Sequence, residues 1–180
     1  MHSQDWYAAE YAGDVVDYLT EQHDHIKALM GRVLPASGAE RQRAFDAVRE
    51  TLARHEAAEE AVLRPLVREV PGGEEEAAQR TFEETRAKET LGELEQLDVD
   101  SIPFEVLFRD LDEAVLVHAE NEQTLEFPLL RQTHDPDTLR RARAAVEDVE
   151  AGRTSRGEQR GGTFAEMLDR ARGLFAHLTP

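Results

Sequence analysis

Apolar residues recur along this chain at spacings of three and four and almost nowhere in strict alternation, so the pattern predicts helices throughout. Pro and Gly clusters mark the breaks between them. A first helix runs from about Gly13 or Asp14 to Leu34, with Val15, Val16, Leu19, Ile26, Leu29, Met30 and Val33 on one face. A second runs from about Ala39 to Val70 and stops at Pro71-Gly72-Gly73; Pro65 inside it predicts a kink or an end to its regular part. A third covers about Glu74 to Leu97, with Phe82, Ala87, Leu91, Leu94 and Leu97 as its apolar positions. Asp98 to Ser101 link it to a fourth, which starts near Pro103 and reaches about Gln132 with Pro128 inside it. Asp135 caps a shorter helix from Pro136 to Glu150. Residues 151–162, AGRTSRGEQRGG, read as a flexible connector, and the stretch from Thr163 to Leu178 as an amphipathic helix that docks on the body. The expected architecture is all-α. An N-terminal segment (1–12) precedes an up-down-up-down four-helix bundle with a short fifth helix (13–150), and the linker and C-terminal helix (163–180) follow.

Composition narrows what such a bundle can do. A chain of 180 residues fits one domain with a sizeable core, and 40% apolar residues are too many for a disordered acidic tail. Its 38 acidic residues outweigh 21 basic ones, for a net charge of −17 with no basic block. That balance argues against nucleic acid and anionic membrane surfaces as partners. Acidic runs such as Glu74–Glu76 read as a solvated face. No basic-then-apolar leader and no spanning apolar run is visible, so the expected location is cytoplasmic. With no Cys, thiolate zinc sites, iron–sulfur clusters and Cys nucleophiles are excluded, and a metal here must be held by His and carboxylates.

The chain supplies such a set through an internal repeat. HEAAEEAVLRPLV from His55 and HAENEQTLEFPLL from His118 both read H-x3-E-x5-P-L, at an offset of 63 residues. Phe45 and Phe108, Val48 and Leu111, and Val62 and Leu125 match at the same offset. Residues i and i+4 lie one turn apart on one helical face, so His55/Glu59 and His118/Glu122 each form a two-residue clamp. Imidazole with carboxylate suits iron or manganese, and di-metal bundles are built from inward clamps of this kind. On the first helix, His23 shares the inward face of Leu19, Ile26 and Met30, whereas His25 points outward. A second repeat, at an offset of 61, lays His23 on Glu84 and Lys27 on Lys88, the only two lysines in the chain. It nominates Glu84 as the third-helix counterpart of His23, against the alternative of a surface salt bridge from Glu84 to Lys88. Glu56, Glu60 and Glu120 lie off the clamp face and are expected to be solvated, and His2, His25, His134 and His177 to be surface residues. Tyr11 and Tyr18 are expected to pack at the core edge.

Across about residues 13–132, with the motifs QHDHIKAL, HEAAEEAVLRPL and HAENEQTLEFPL, the sequence resembles the hemerythrin-like (HHE cation-binding) family. The resemblance implies a four-helix bundle around an oxo- or hydroxo-bridged di-iron centre that meets a small diatomic or peroxide ligand: O2, NO or H2O2. It implies His23, His55 and His118 as terminal ligands and Glu59 and Glu122 as bridging ones. The family's third-helix His is missing, since that segment reads ETRAKETLGELE. Three outcomes stay open: Glu84 ligates, a single metal binds, or the site is vestigial. A carboxylate in place of a neutral nitrogen favours the higher oxidation state, and so redox turnover over reversible O2 carriage. The expected function is to bind, sense or reduce a small oxidant. The alternatives are a non-enzymatic metal-binding or interaction module and iron handling by a ferroxidase, with another divalent metal in place of iron as a variant. A monomer or small homo-oligomer is expected.

Overall fold

The computed structural model describes residues 13–154 and 162–175, and of 148–154 and 174–175 only the backbone. His2, Tyr11, His177 and most of the anticipated linker (155–161) lie outside the described residues. Six helices follow in order. Helix α1 is Val15–Met30; α2 is Gly38–Ala58 continued through a π turn, Glu59–Leu63, into Arg64–Arg68. Helix α3 is Gly73–Leu94; α4 is Ile102–Asn121 continued through a second π turn, Glu122–Glu126, into Phe127–Thr133. Helices α5 (Pro136–Thr154) and α6 (Phe164–Phe175) are the last of the described elements, and the described residues contain no strand. Helices α1 to α4 form the bundle, with α1 beside α2 and α3 beside α4; α5 packs on α1, and α6 on α2 and α3.

Local chemistry sets the ends. The Asp14 carboxylate accepts from the Asp17 N–H at 3.0 Å and caps α1. The same buried carboxylate receives a two-pronged bond from Arg131, at 2.9 and 2.8 Å, which ties the start of α1 to the end of α4. Helix α1 stops at Met30, short of the Leu34 expected from sequence, and turns carry Val33 into the core. Helix α3 likewise stops at Leu94, and α5 runs four residues past Glu150. Between α2 and α3, Gly73 is obligatory: a Cβ there would lie 1.7 Å from the Val67 carbonyl oxygen.

The two prolines do not end their helices. Each follows a π turn closed by an i→i+5 bond, Arg64 N–H to the Glu59 carbonyl and Phe127 N–H to the Glu122 carbonyl. Proline lacks the N–H for an i→i−4 bond and its ring crowds that carbonyl. The wider turn absorbs the mismatch, and the helix continues.

The interior has three layers. One apolar cluster contains Ile26, Met30, Phe45, Val48, Leu91, Leu94, Phe104 and Phe108. Another contains Val15, Val16, Leu19, Leu63, Val67, Phe127, Leu130 and Leu139. His23, Glu59, Glu84 and Glu122 fall in sequence between the members of these clusters on all four bundle helices, with His55 one turn before Glu59, so they form a polar layer between two dry ones. Helix α6 joins the first cluster through Phe164, Met167, Leu168 and Ala171. Arg49 fastens it there, reaching Glu95 at 2.6 Å and the Gly162 carbonyl at 3.0 Å, while Glu95 also accepts the Phe164 N–H. Phe82, read as part of an apolar face, is 59% exposed, because five residues separate it from Ala87 and place it ~140° around α3.

Candidate metal centre

Four buried residues from three helices converge in the polar layer: His23 of α1, His55 and Glu59 of α2, and Glu122 of α4. Each offers one ligand atom, all within 4.8 Å of one another. His23 Nε2 lies 3.2 Å from Glu122 Oε2 and 3.8 Å from Glu59 Oε1, and His55 Nε2 lies 3.2 Å from Glu59 Oε1. A second set, Glu59, Glu84, His118 and Glu122, meets the same 4.8 Å limit, with Glu84 and His118 only half-buried. His118 Nε2 lies 3.4 Å from Glu122 Oε1. Glu59 and Glu122 belong to both sets and lie between them.

The outer ring nitrogens are held, so the inner ones are aimed. Gln22 Oε1 accepts from His55 Nδ1 at 2.9 Å, the Gln123 amide lies 3.1 Å from His23 Nδ1, and Glu83 lies 2.9 Å from His118 Nδ1. Such outer partners orient a ligating imidazole, and an acceptor such as Gln22 Oε1 or Glu83 also sets its tautomer. Phe127 stacks on His23 at 5.8 Å between ring centres, nearly parallel. Inside this frame, His23 Nε2, His118 Nε2, both Glu59 oxygens and Glu122 Oε2 are buried without a hydrogen-bond partner. An unsatisfied buried polar atom costs about 1–3 kcal/mol, so orphans gathered in one layer need shared partners. A cation is the partner that nitrogen lone pairs and carboxylate oxygens have in common, and the donor set fits one.

Charge in the metal-free layer is unevenly spread. Burial opposes charge on His23, but the facing Glu122 and Glu59 carboxylates override it and raise its pKa to about 9. Burial, with the charge of neighbouring His23, pushes His55 well below its usual range. His118 rises to about 10, because Glu122 and Glu83 outweigh its burial. Burial and the Glu122 charge push Glu59 up to about 7, whereas His118, His23 and Arg64 hold Glu122 low in spite of its burial.

Arg64 is the residue that the sequence pattern misses. It is 2% exposed and pairs with Glu126 Oε1 at 2.5 Å, Glu84 Oε1 at 2.6 Å and Glu122 Oε1 at 2.7 Å, with Glu59 Oε2 at 3.8 Å. In a regular helix, five residues past Glu59 would place it ~140° off the clamp's line; the π turn unwinds that offset and swings it inward. A signal was present in the repeat. At the 63-residue offset, Leu63-Arg64 falls on Glu126-Phe127, and all four side chains are buried. At two of the places where the repeat breaks in polarity, the charged residues are the two halves of one buried ion pair.

Other expectations need correction. Glu56 is not a solvated neighbour: it is half-buried, and burial and the Glu84 charge push its carboxyl well up. His134 is not a surface residue: its side chain is 9% exposed and its Nε2 lies 2.9 Å from the Leu66 carbonyl. Glu84 makes its salt bridge to Arg64, inside the bundle. His25, Glu60 and Glu120 are exposed. Glu60 pairs with Arg172 of α6 at 2.6 Å.

A cavity of about 40 Å³ adjoins the centre, lined by His23, His55, Glu56, Glu84, His118 and apolar residues including Met30, Leu52 and Val115. That is room for two or three waters or one molecule of like size. Among the described residues, no helix is long and apolar enough to cross a membrane. Comparison with curated proteins and with solved structures returns no match. The family description "Hemerythrin HHE cation binding domain" matches residues 14–130, which span α1 to α4 and every residue of both clusters. The chain therefore belongs to the hemerythrin HHE cation-binding domain family.

Proposed function

We propose that this protein holds iron through His23, His55, Glu59 and Glu122 and uses it to bind, sense or reduce a small oxidant such as O2, NO or H2O2. The observation that carries the reading is the convergence of buried, hydrogen-bond-orphaned atoms of His23, Glu59 and Glu122, beside His55, on one point. Two imidazoles with two carboxylates suit iron or manganese better than soft thiolate-seeking metals. Bound iron would supply redox chemistry and an open position for a small ligand.

The chain's own residues do the rest. Glu59 and Glu122 supply negative charge that offsets the cation. Gln22 and Gln123 hold the two rings that face it. The apolar layers above and below exclude bulk water, and the cavity admits only small molecules. Half-buried Glu56, whose carboxyl stays protonated well above the usual range, lines that cavity and is placed to give a proton to a ligand within it.

The test is metal analysis of the purified chain after anaerobic loading with ferrous iron and desalting. Native protein retains iron and changes its ultraviolet–visible spectrum on exposure to O2, NO or H2O2. His55→Ala loses the metal, and iron content unchanged in that variant overturns the assignment. A spectrum indifferent to all three oxidants overturns the oxidant role and leaves metal binding standing.

A further inference from the structure

We infer that the centre takes one metal ion per chain, and that the guanidinium of Arg64 stands in the second metal position as a built-in cation. The inference rests on the proposed iron site at His23, His55, Glu59 and Glu122 and concerns the other half of the polar layer. The family resemblance implies two irons there, and the residues present do not fit a second one.

The two halves of the layer are related by the repeats of the sequence. His23 corresponds to Glu84, the His55/Glu59 clamp to His118/Glu122, and Phe127 to Arg64. The structure keeps that correspondence in space. In one half Phe127 stacks on His23, and in the other Arg64 pairs with Glu84 at 2.6 Å. The second half thus differs from the first at two positions, a carboxylate in place of an imidazole and a guanidinium in place of an apolar ring. Their charges cancel.

Arg64 also occupies carboxylate oxygens of the second cluster. Of the second cluster's four residues, its Nη2 contacts Glu84 Oε1 at 2.6 Å and Glu122 Oε1 at 2.7 Å, and lies 3.8 Å from Glu59 Oε2. Its Nη1 is anchored by Glu126, a 1% exposed carboxylate at the position where the repeat has Leu63. A guanidinium is always charged and binds carboxylates through a rigid fork. It would have to leave a buried site lined by carboxylates before a second ion could enter. In the first cluster, by contrast, no arginine among the described residues touches the two residues that belong to it alone, His23 and His55; the orphaned atoms of Glu59 and Glu122 are common to both clusters, and His118 Nε2 is the orphan of the second.

The experiment counts metal. The native chain is loaded anaerobically with excess ferrous iron, desalted, and measured for iron per chain, then oxidised and examined by electron paramagnetic resonance. One iron per chain with a high-spin mononuclear ferric signal is the expected result. Two irons per chain with a spin-coupled, silent ferric state overturns the inference and leaves the proposed iron site intact. No retained iron overturns both. His118→Ala, which removes a member of the second cluster alone, is expected to keep its single iron; loss of that iron overturns the inference. Arg64→Phe with Glu126→Leu gives each position the residue of its repeat counterpart and removes the ion pair as a unit. It is expected to raise iron content twofold, and a folded double variant that stays at one iron overturns the role given to Arg64. The native and His118→Ala counts decide the matter even where that double variant fails to fold.

Discussion

The same four-residue motif occurs twice in this bundle and meets opposite surroundings. His55 is buried, held by a neutral amide from Gln22, and kept neutral by burial and by the charge on His23. His118 is half-buried, held by a carboxylate from Glu83, and kept charged by Glu122 and Glu83. Glu59 makes no hydrogen bond through either oxygen, whereas Glu122 gives one oxygen to Arg64. Spacing alone makes both pairs clamps. A neutral imidazole beside a carboxylate that makes no hydrogen bond is ready for a metal, and an imidazolium beside an arginine-bound carboxylate is already neutralised. The difference lies in what the neighbouring helices bring to each clamp.

Four experiments break or sharpen that contrast. Removing the internal cation has the largest expected effect. Arg64→Met takes the guanidinium from buried Glu126 and removes one of the three cationic neighbours of Glu122, and should destabilise the metal-free protein by about 3–5 kcal/mol, read from urea unfolding. Next, truncation of each clamp histidine should separate the halves. His55→Ala should weaken ferrous-iron affinity about 100-fold, about 2.7 kcal/mol, and His118→Ala by less than about threefold. Equal losses in a calorimetric titration would erase the distinction drawn above.

A third experiment follows stability against pH in the metal-free protein. The folded-state pKa values of His23 and His118 are raised, to about 9 and about 10, above the ordinary 6.5. Their contribution is therefore fully present below pH 6.5 and is lost as pH rises through those values. Unfolding free energy should fall across that window by roughly 2 kcal/mol or more, and the fall should shrink in His118→Gln. Iron loading should remove the part due to His23, since a ligating ring is already deprotonated. The smallest expected effect concerns the outer partners. Gln22→Leu removes the acceptor at His55 Nδ1 and should weaken iron binding about tenfold. Glu83→Gln should leave iron binding unchanged while lowering the pKa of His118, followed by its ring proton resonances.

Much of the fold was legible because helices of this kind repeat their apolar positions every turn. The same periodicity placed His23, His55, Glu59 and Glu122 on inward faces, where the structure brings them together. Arg64 was not legible from periodicity, since its inward direction depends on a π turn that a fixed angular step per residue cannot represent. Glu83 precedes Glu84 by one residue, ~100° around α3 from it, yet it reaches His118 across the α3–α4 interface. Gln22 and Gln123 likewise touch a histidine on another helix, at sequence separations of 33 and 100. Such contacts leave no local pattern.

The sequence by itself determined the helices, the absence of sulfur ligands, the two clamps and the repeat that relates them, because each depends on residue type and local spacing. Only the tertiary structure decided which clamp is open and which is filled. That depends on where a π turn aims Arg64 and which carboxylates from α3 and α4 surround it. Electrostatic interactions in a buried layer are set by distances of a few ångströms between helices, and those distances are fixed only when the bundle packs.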